Sequence, residues 1–234
     1  MYKSTDGGKT WAFWSTIDEM NGSPGSLGNP DKGLYEPHFC RLDDGRIAVM
    51  YANEEHVIEP PYYSQIISQK ISDDGGRTWG DEIWVAWDPA SPHLRPGMPV
   101  WRRLRDGRYL VVFEVVHLVM YKCVSAQIHY KISRDGIHWE AGNGLPVPEQ
   151  WGGPYFEELE DGTWLVTSNS GKITVSRDQG ATWQTVDPMP FRSHLWASLY
   201  PLDGSRFILL NSAERPKETG GHNIQMCIGQ LAKR

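Results

Sequence analysis

The segment Ser72-Asp73-Asp74-Gly75-Gly76-Arg77-Thr78-Trp79 decides the fold, because the chain uses it four times. The other copies begin at Ser4, Ser133 and Ser176, so successive starts are 68, 61 and 43 residues apart. In such a segment the aspartate accepts backbone N–H groups across a tight turn, glycine supplies a positive φ, and the tryptophan folds back as an apolar plug. Fourfold use indicates that these aspartates are structural, since an active site needs one copy of each role.

A second repeated unit precedes these turns. It consists of a strand, an Asp-Gly hairpin turn and a second apolar strand, with the turn glycines at Gly45, Gly107, Gly162 and Gly204. A further strand leads into each Ser-Asp-Gly-Trp turn, and a short outer strand follows it. Each complete unit is therefore predicted to be a four-stranded antiparallel sheet, whereas the last unit, at 191–231, lacks the Ser-Asp-Gly-Trp turn. Repetition of such units is typical of the blades of a β-propeller.

The repeats predict one all-β domain over residues 1–234. Its blades are expected at approximately 1–18 (partial), 34–87, 95–141, 153–187 and 191–231. The first of these carries only the outer half of a unit, so we expect an N-terminally incomplete ring of about four and a half blades. Such a ring would expose a blade edge.

Composition limits the function classes. The formal net charge of −6 argues against a protein that binds the nucleic-acid backbone. No apolar run is long enough for a membrane span, and no signal peptide is visible in this chain. The eight histidines lack metal-binding spacings, so no metal or cofactor is expected. The three cysteines, Cys40, Cys123 and Cys227, are expected to be buried and structural.

The residues outside the repeats carry a resemblance to a known family. They occur in the order Tyr35-Glu36-Pro37-His38-Phe39, Tyr51-Ala52-Asn53-Glu54-Glu55, Tyr63-Ser64-Gln65, Arg95-Pro96-Gly97-Met98, Val112-Phe113-Glu114, Gly153-Pro154-Tyr155 and Arg192-Ser193-His194. With the repeated turn, known as the Asp-box or BNR repeat, this series resembles the sialidase-like propeller superfamily. It is most similar to the exo-α-1,5-L-arabinanases, glycoside hydrolases that release arabinobiose from linear arabinan.

This resemblance implies a six-bladed β-propeller that acts on an oligo- or polysaccharide without a cofactor. For the full-length protein it also implies secretion and a monomeric state, with neither a nucleic acid nor a membrane as partner. The expected function is an exo-glycoside hydrolase that cleaves arabinan or a related glycan with two carboxylates. A sialidase and a non-catalytic carbohydrate-binding or structural propeller remain the alternatives, because Asp-boxes also occur in non-enzymatic propellers.

Two glutamates are the catalytic candidates. Glu114 ends the apolar run from Tyr109 to Phe113, where an unpaired charge is costly, and it matches a catalytic glutamate in the arabinanase-like interpretation. Glu36 opens an inner strand where sialidase relatives place a Glu-Pro pair in the site. The alternative for each is a carboxylate at a strand end or turn. Either Glu54 or Glu55 is a further candidate, at the expected funnel rim.

The expected substrate-binding residues include cations and aromatic side chains. Arg95, Arg192 and His194 could hold sugar hydroxyls or a carboxylate ligand, or form ion pairs between blades. Tyr155, Trp151 and Trp196 could stack on sugar rings or pack between blades. The family resemblance adds His38 to this set.

Overall fold

A computed structural model of the chain describes residues 1–20, 33–57, 62–120, 122–186, 195–214 and 221–232. These residues form seventeen strands and one short 3₁₀ helix, Glu55–Val57. In chain order, β1 to β17 are Tyr2–Lys3, Ala12–Phe13, Leu34–Arg41, Ile47–Asn53, Ile66–Ser72, Ile83–Ala86, Arg95–Arg103, Tyr109–Val119, Lys122–Ser133, Leu145–Trp151, Tyr155–Glu158, Trp164–Thr167, Ile173–Ser176, Gln184–Val186, Leu195–Pro201, Arg206–Glu214 and His222–Gln230. The all-β class is confirmed. In the described ranges, no helix has the length and apolar character needed to cross a membrane.

The strands form five antiparallel sheets, each made of strands that are consecutive in sequence. We name them sheet A (β1–β2), sheet B (β3–β6), sheet C (β7–β10), sheet D (β11–β14) and sheet E (β15–β17). The outer strand β10 lies beyond residue 141, where the sequence placed the end of that unit. The chain first passes through a turn in which Gly142 and Gly144 have positive φ.

The Asp-box turns have the predicted hydrogen bonds, but the tryptophan is not a buried plug in every copy, since Trp139 is 9% exposed and Trp11 is 64% exposed. Asp74 Oδ1 accepts hydrogen bonds from the backbone N–H groups of Arg77 at 2.8 Å and Thr78 at 3.0 Å. Ser72 Oγ accepts a bond from the N–H of Gly76, whose φ is 84°. The hydrogen bonds that Asp74 itself accepts lower the pKa of its carboxyl group, those from Thr78 most strongly. The carboxylate therefore serves the turn, as fourfold use predicts.

The hydrophobic core lies between neighbouring sheets rather than within one layer. Along β8, Val111 and Phe113 pack against sheet B, whereas Leu110 and Val112 pack against sheet D. This follows from the two-residue period of a strand. A strand that is buried on both faces reads as a continuous apolar run, which is why Tyr109–Phe113 shows no alternation. Glu114 follows where this double burial ends.

The first strands of sheets B, C and E contain bulges beside the site. Register shifts interrupt the pairing between Tyr35 and His38 in β3 and between Gly97 and Val100 in β7. At these bulges Glu36 and Met98 adopt φ values of 58° and 50°, and Trp196 has the same conformation in β15. Non-glycine residues rarely adopt this conformation, and bulges often redirect side chains beside functional sites.

Candidate active site

A cavity of about 370 Å³ is lined by residues of sheets B, C and E and by segments that flank the strands of sheet D. Its lining includes Tyr35, Glu36, Gln65, Arg95, Met98, Glu114, Cys123, Trp151, Gly153, Asn169 and Trp196. Its volume falls in the lower part of the range for small-molecule sites, roughly 300–1,000 Å³. The two predicted catalytic glutamates therefore share one cavity.

Glu114 is half-buried in β8, paired with Gly97 on one side and Ile128 on the other. Its Oε2 atom accepts a hydrogen bond from the backbone N–H of Gly153 at 2.9 Å. Burial raises the pKa of the Glu114 carboxyl, and this hydrogen bond offsets only part of the rise. A carboxyl group in such surroundings retains its proton to a higher pH than usual.

Glu36 reaches the same cavity from the β3 bulge. Its Oε2 atom accepts a hydrogen bond from the backbone N–H of Met98 at 2.8 Å. Although the residue as a whole is exposed, the cavity walls desolvate its carboxyl group and raise its pKa. The charge of Glu114 raises this pKa further, whereas Arg95 lowers it. The two carboxyl groups therefore interact electrostatically.

Arg95 is held by protein groups on several sides. Its guanidinium forms an ion pair with Glu54, and it donates to Gln65 Oε1 at 2.6 Å and to the Ser64 carbonyl at 3.2 Å. The second carboxylate oxygen of Glu54 accepts a 3.0 Å hydrogen bond from the Tyr35 hydroxyl. Both ion-pair side chains are only 4% exposed. The inter-sheet ion pair, one of the two roles anticipated for Arg95, is thus present, and of the two rim glutamates Glu54 forms it.

The other predicted binding residues fall into three groups. Trp151 lines the cavity and is 56% exposed. His38 and Tyr155 are absent from the lining. Burial, aided by the charge of Arg102, lowers the pKa of His38 to about 4, and Tyr155 packs against the cores on both sides of sheet D. The remaining pair, Arg192 and His194, lies outside the described residues.

Sequence reasoning missed three contributors to the cavity. Gln65 had no chemical signature beyond its place in the family-like series, and Asn169 carries no ionisable group that would mark it as a candidate. Cys123 was expected to be buried, and this was wrong: its side chain is exposed at the cavity wall. It lies near the tip of the long β8–β9 hairpin, where fewer strands cover it. In the part of the chain that the structure describes, no cluster of three or more potential metal ligands occurs.

Comparisons with known proteins agree with this architecture. The model of the BNR/Asp-box repeat matches residues 2–13. A sialidase of Paraclostridium sordellii is 23% identical over 209 residues, which cover 80% of this chain and 49% of that protein. The chain thus spans about half the length of this relative.

Two solved arabinan-related structures share the fold. The GH93 α-L-arabinofuranosidase of Fusarium graminearum, bound to arabinobiose, matches with a TM-score of 0.79 at 17% identity, over 98% of this chain and 66% of that one. The Penicillium chrysogenum α-L-arabinanase with arabinobiose matches with a TM-score of 0.75 at 20% identity, over 97% and 65%. The chain resembles the sialidase-like superfamily and, within it, enzymes of the arabinanase type, as its sequence predicts.

Proposed function

We propose that this chain carries the active site of an exo-acting glycoside hydrolase for arabinan or a related glycan. The observation that carries the proposal is the pair of carboxyl groups, Glu114 and Glu36, in one cavity with different electrostatic surroundings. The names of the similar proteins, sialidase, arabinofuranosidase and arabinanase, support a glycosidase. The arabinobiose in the two solved structures supports an arabinan-type substrate.

The surroundings of the two carboxyl groups support a different role for each. Glu114 is paired with no cation among the described residues, and burial raises its pKa, so it is suited to be the protonated general acid. Glu36 lies closer to solvent, and the charge of Arg95 favours its ionised form. Burial raises the pKa of both carboxyl groups, so the two can share one proton; we place it on Glu114, because Arg95 lowers the pKa of Glu36 and no described cation lies against Glu114.

This assignment corresponds to a retaining mechanism, for which the carboxyl groups must lie about 5 Å apart around the sugar. Glu36 forms a bond to the anomeric carbon while the glycosidic bond breaks, and Glu114 gives its proton to the departing oxygen. Glu114, now ionised, takes a proton from a water molecule. That water attacks the anomeric carbon, and the bond to Glu36 breaks.

The test is Glu114→Gln, which keeps the acceptor for Gly153 but cannot donate a proton to the leaving group. On arabino-oligosaccharides we expect turnover to fall by about 10²–10⁴-fold. On an aryl arabinofuranoside with a strongly acidic phenol as leaving group the loss should be much smaller, because that leaving group needs no proton. Glu160→Gln, at an exposed glutamate, is the matched control. Equal turnover by parent and Glu114→Gln on both substrates would refute the assignment.

The sialidase alternative has its own supporting observation. Sialidases use a tyrosine nucleophile, and the Tyr35 hydroxyl contacts Glu54 in this cavity. However, burial and the Glu54 contact raise the pKa of Tyr35, which opposes activation of the hydroxyl as a nucleophile. Hydrolysis of an aryl sialoside, lost in Tyr35→Phe, would favour this alternative.

A non-catalytic sugar-binding protein is the other alternative. It is favoured by the hydrogen bonds that hold one oxygen of each candidate carboxylate against a backbone amide, since these bonds also suit a purely structural role. Arabino-oligosaccharide binding without turnover by the parent protein would support it. The six-bladed ring, with about four and a half blades in this chain, and secretion of the full-length protein remain predictions from the resemblance.

A further inference from the structure

We propose that a second groove, next to the candidate active-site cavity, binds additional units of a neutral oligosaccharide. The inference rests on the proposed function and extends it to the form of the substrate. The groove has a volume of about 660 Å³ and shares Cys123, Ala126 and Trp151 with the smaller cavity. The two spaces therefore adjoin at these three residues.

One wall of the groove is the β8–β9 hairpin, which is longer than the hairpins of the other sheets. Strands β8 and β9 have eleven and twelve residues, so their hairpin extends past the ends of the neighbouring strands. Val124 and Ser125 on this hairpin form one side. Ser170 and Lys172, from the β12–β13 connection of sheet D, form the other side. An extended hairpin facing a neighbouring sheet makes an open channel suited to a chain-like ligand.

The backbone of Trp151 is held by hydrogen bonds, whereas its side chain is exposed. The backbone N–H of Trp151 donates to Ser168 Oγ at 3.1 Å, and the residue pairs with Gln127 after a register shift in β10. Just before it, Glu149 has a φ of 58°, an uncommon conformation for a non-glycine residue. More than half of the side chain nevertheless faces solvent. A large, rigid aromatic face at the junction of two cavities is suited to stacking on a sugar ring.

The polar groups of the groove favour a neutral ligand. Lys172 Nζ lies 2.7 Å from Glu149 Oε2, so the charges of these two lining residues compensate each other. Beneath them, Gln150 is 2% exposed and bonds to Thr174 Oγ1 at 2.8 Å and to Ser170 Oγ at 2.9 Å. The floor is thus rigid, and its rim offers donors and acceptors without a large net charge. Sugar hydroxyls fit this arrangement better than a carboxylate does.

The test compares arabinobiose with arabinopentaose. By titration calorimetry on the Glu114→Gln protein, we expect arabinopentaose to bind at least about tenfold more tightly (about 1.4 kcal/mol). Ser125→Trp, which places a bulky side chain in the groove, should abolish this difference and leave arabinobiose affinity unchanged. Val119→Trp, on the same hairpin but outside the groove lining, is the control and should keep the full difference. Trp151→Ala is a second variant that should reduce arabinopentaose affinity by about tenfold.

The results separate this inference from the proposed function. Length-dependent binding that Ser125→Trp removes would support the groove even if the parent protein hydrolyses nothing. Hydrolysis of an aryl arabinofuranoside with equal affinities for both oligosaccharides would overturn the groove and retain the enzyme. A length preference that survives in Ser125→Trp, or absence of binding to either sugar, would also overturn it.

Discussion

The carboxylate of Glu114 accepts a hydrogen bond from the backbone N–H of Gly153, 2.9 Å away in the segment that leads into sheet D. One sheet further, Asn169 Oδ1 accepts the equivalent bond from the N–H of Trp196 at 2.8 Å. Glu114 and Asn169 both lie seven residues after the glycine of an Asp-Gly turn. In sheet B that position is Ala52, which has no acceptor, and Glu36 instead receives the N–H of Met98. The amide at each junction thus has a side-chain acceptor, and at two of the three the acceptor is a carboxylate.

This equivalence predicts similar structural costs for two substitutions with different functional costs. Glu114→Ala and Asn169→Ala each leave a backbone N–H without its acceptor, so each should lower the free energy of unfolding by about 1–3 kcal/mol. Urea denaturation measures this loss. Because Glu114 alone carries an ionisable group, Glu114→Gln should restore stability but not turnover. A stability loss confined to Glu114→Ala would show that the two junctions are not equivalent.

The pKa of Glu114 predicts how stability changes with pH. Its folded-state pKa is raised above the ordinary 4.5, so the folded state binds more protons than the unfolded state in the window above that value. Stability from this group is therefore complete below pH 4.5 and is lost as pH rises through the raised pKa. Glu114→Gln removes the titration, so its stability relative to the parent should increase from pH 4 to pH 7. Parallel stability curves for the two proteins would contradict the raised pKa.

We expect a large coupling free energy between the buried ion-pair residues Arg95 and Glu54. Arg95→Met leaves the Glu54 carboxylate buried without its cation, and should lower the free energy of unfolding by about 3–5 kcal/mol. The double variant Arg95→Met, Glu54→Met should recover much of this loss, since it removes both charges. A double-mutant cycle by chemical denaturation gives the coupling. If the losses of unfolding free energy in the two single variants added up to the loss in the double variant, the pair would not interact in solution.

Exposed apolar side chains on one face of sheet E lead us to expect self-association of the chain. On β17, Ile224, Met226 and Ile228 are 83%, 62% and 61% exposed. Contiguous exposed apolar residues on an edge strand promote contacts between molecules. We expect this chain to self-associate as its concentration rises, and Met226→Lys to reduce that association, as measured by light scattering after gel filtration. Val119→Lys, at an exposed apolar residue elsewhere, is the control. A monodisperse monomer at all concentrations would contradict the prediction.

The repeat pattern in the sequence determined the fold class and the strand–turn–strand order of each sheet. These features depend on local chemistry: Asp74 and Gly76 close their turn with bonds to residues at most four positions away. The continuous apolar run before Glu114 likewise indicates that β8 is buried on both faces. The sequence also pointed to Glu114 and Glu36 as catalytic candidates, Glu114 because it ends an apolar run and Glu36 because of its Glu-Pro position at an inner strand, and both line the cavity.

Only the tertiary structure decided what those carboxylates contact. The partners of Glu114 and Arg95 lie 39 and 41 residues away, on neighbouring sheets, and their contacts depend on how the sheets pack and where the bulges fall. A bulge shifts the register by one residue and turns a side chain to the other face, so its effect is not visible in a period-two pattern. His38 and Tyr155 fit the family-like series in sequence, yet packing sets them apart from the cavity lining. Trp151 enters the lining because β10 shifts its register just before that residue.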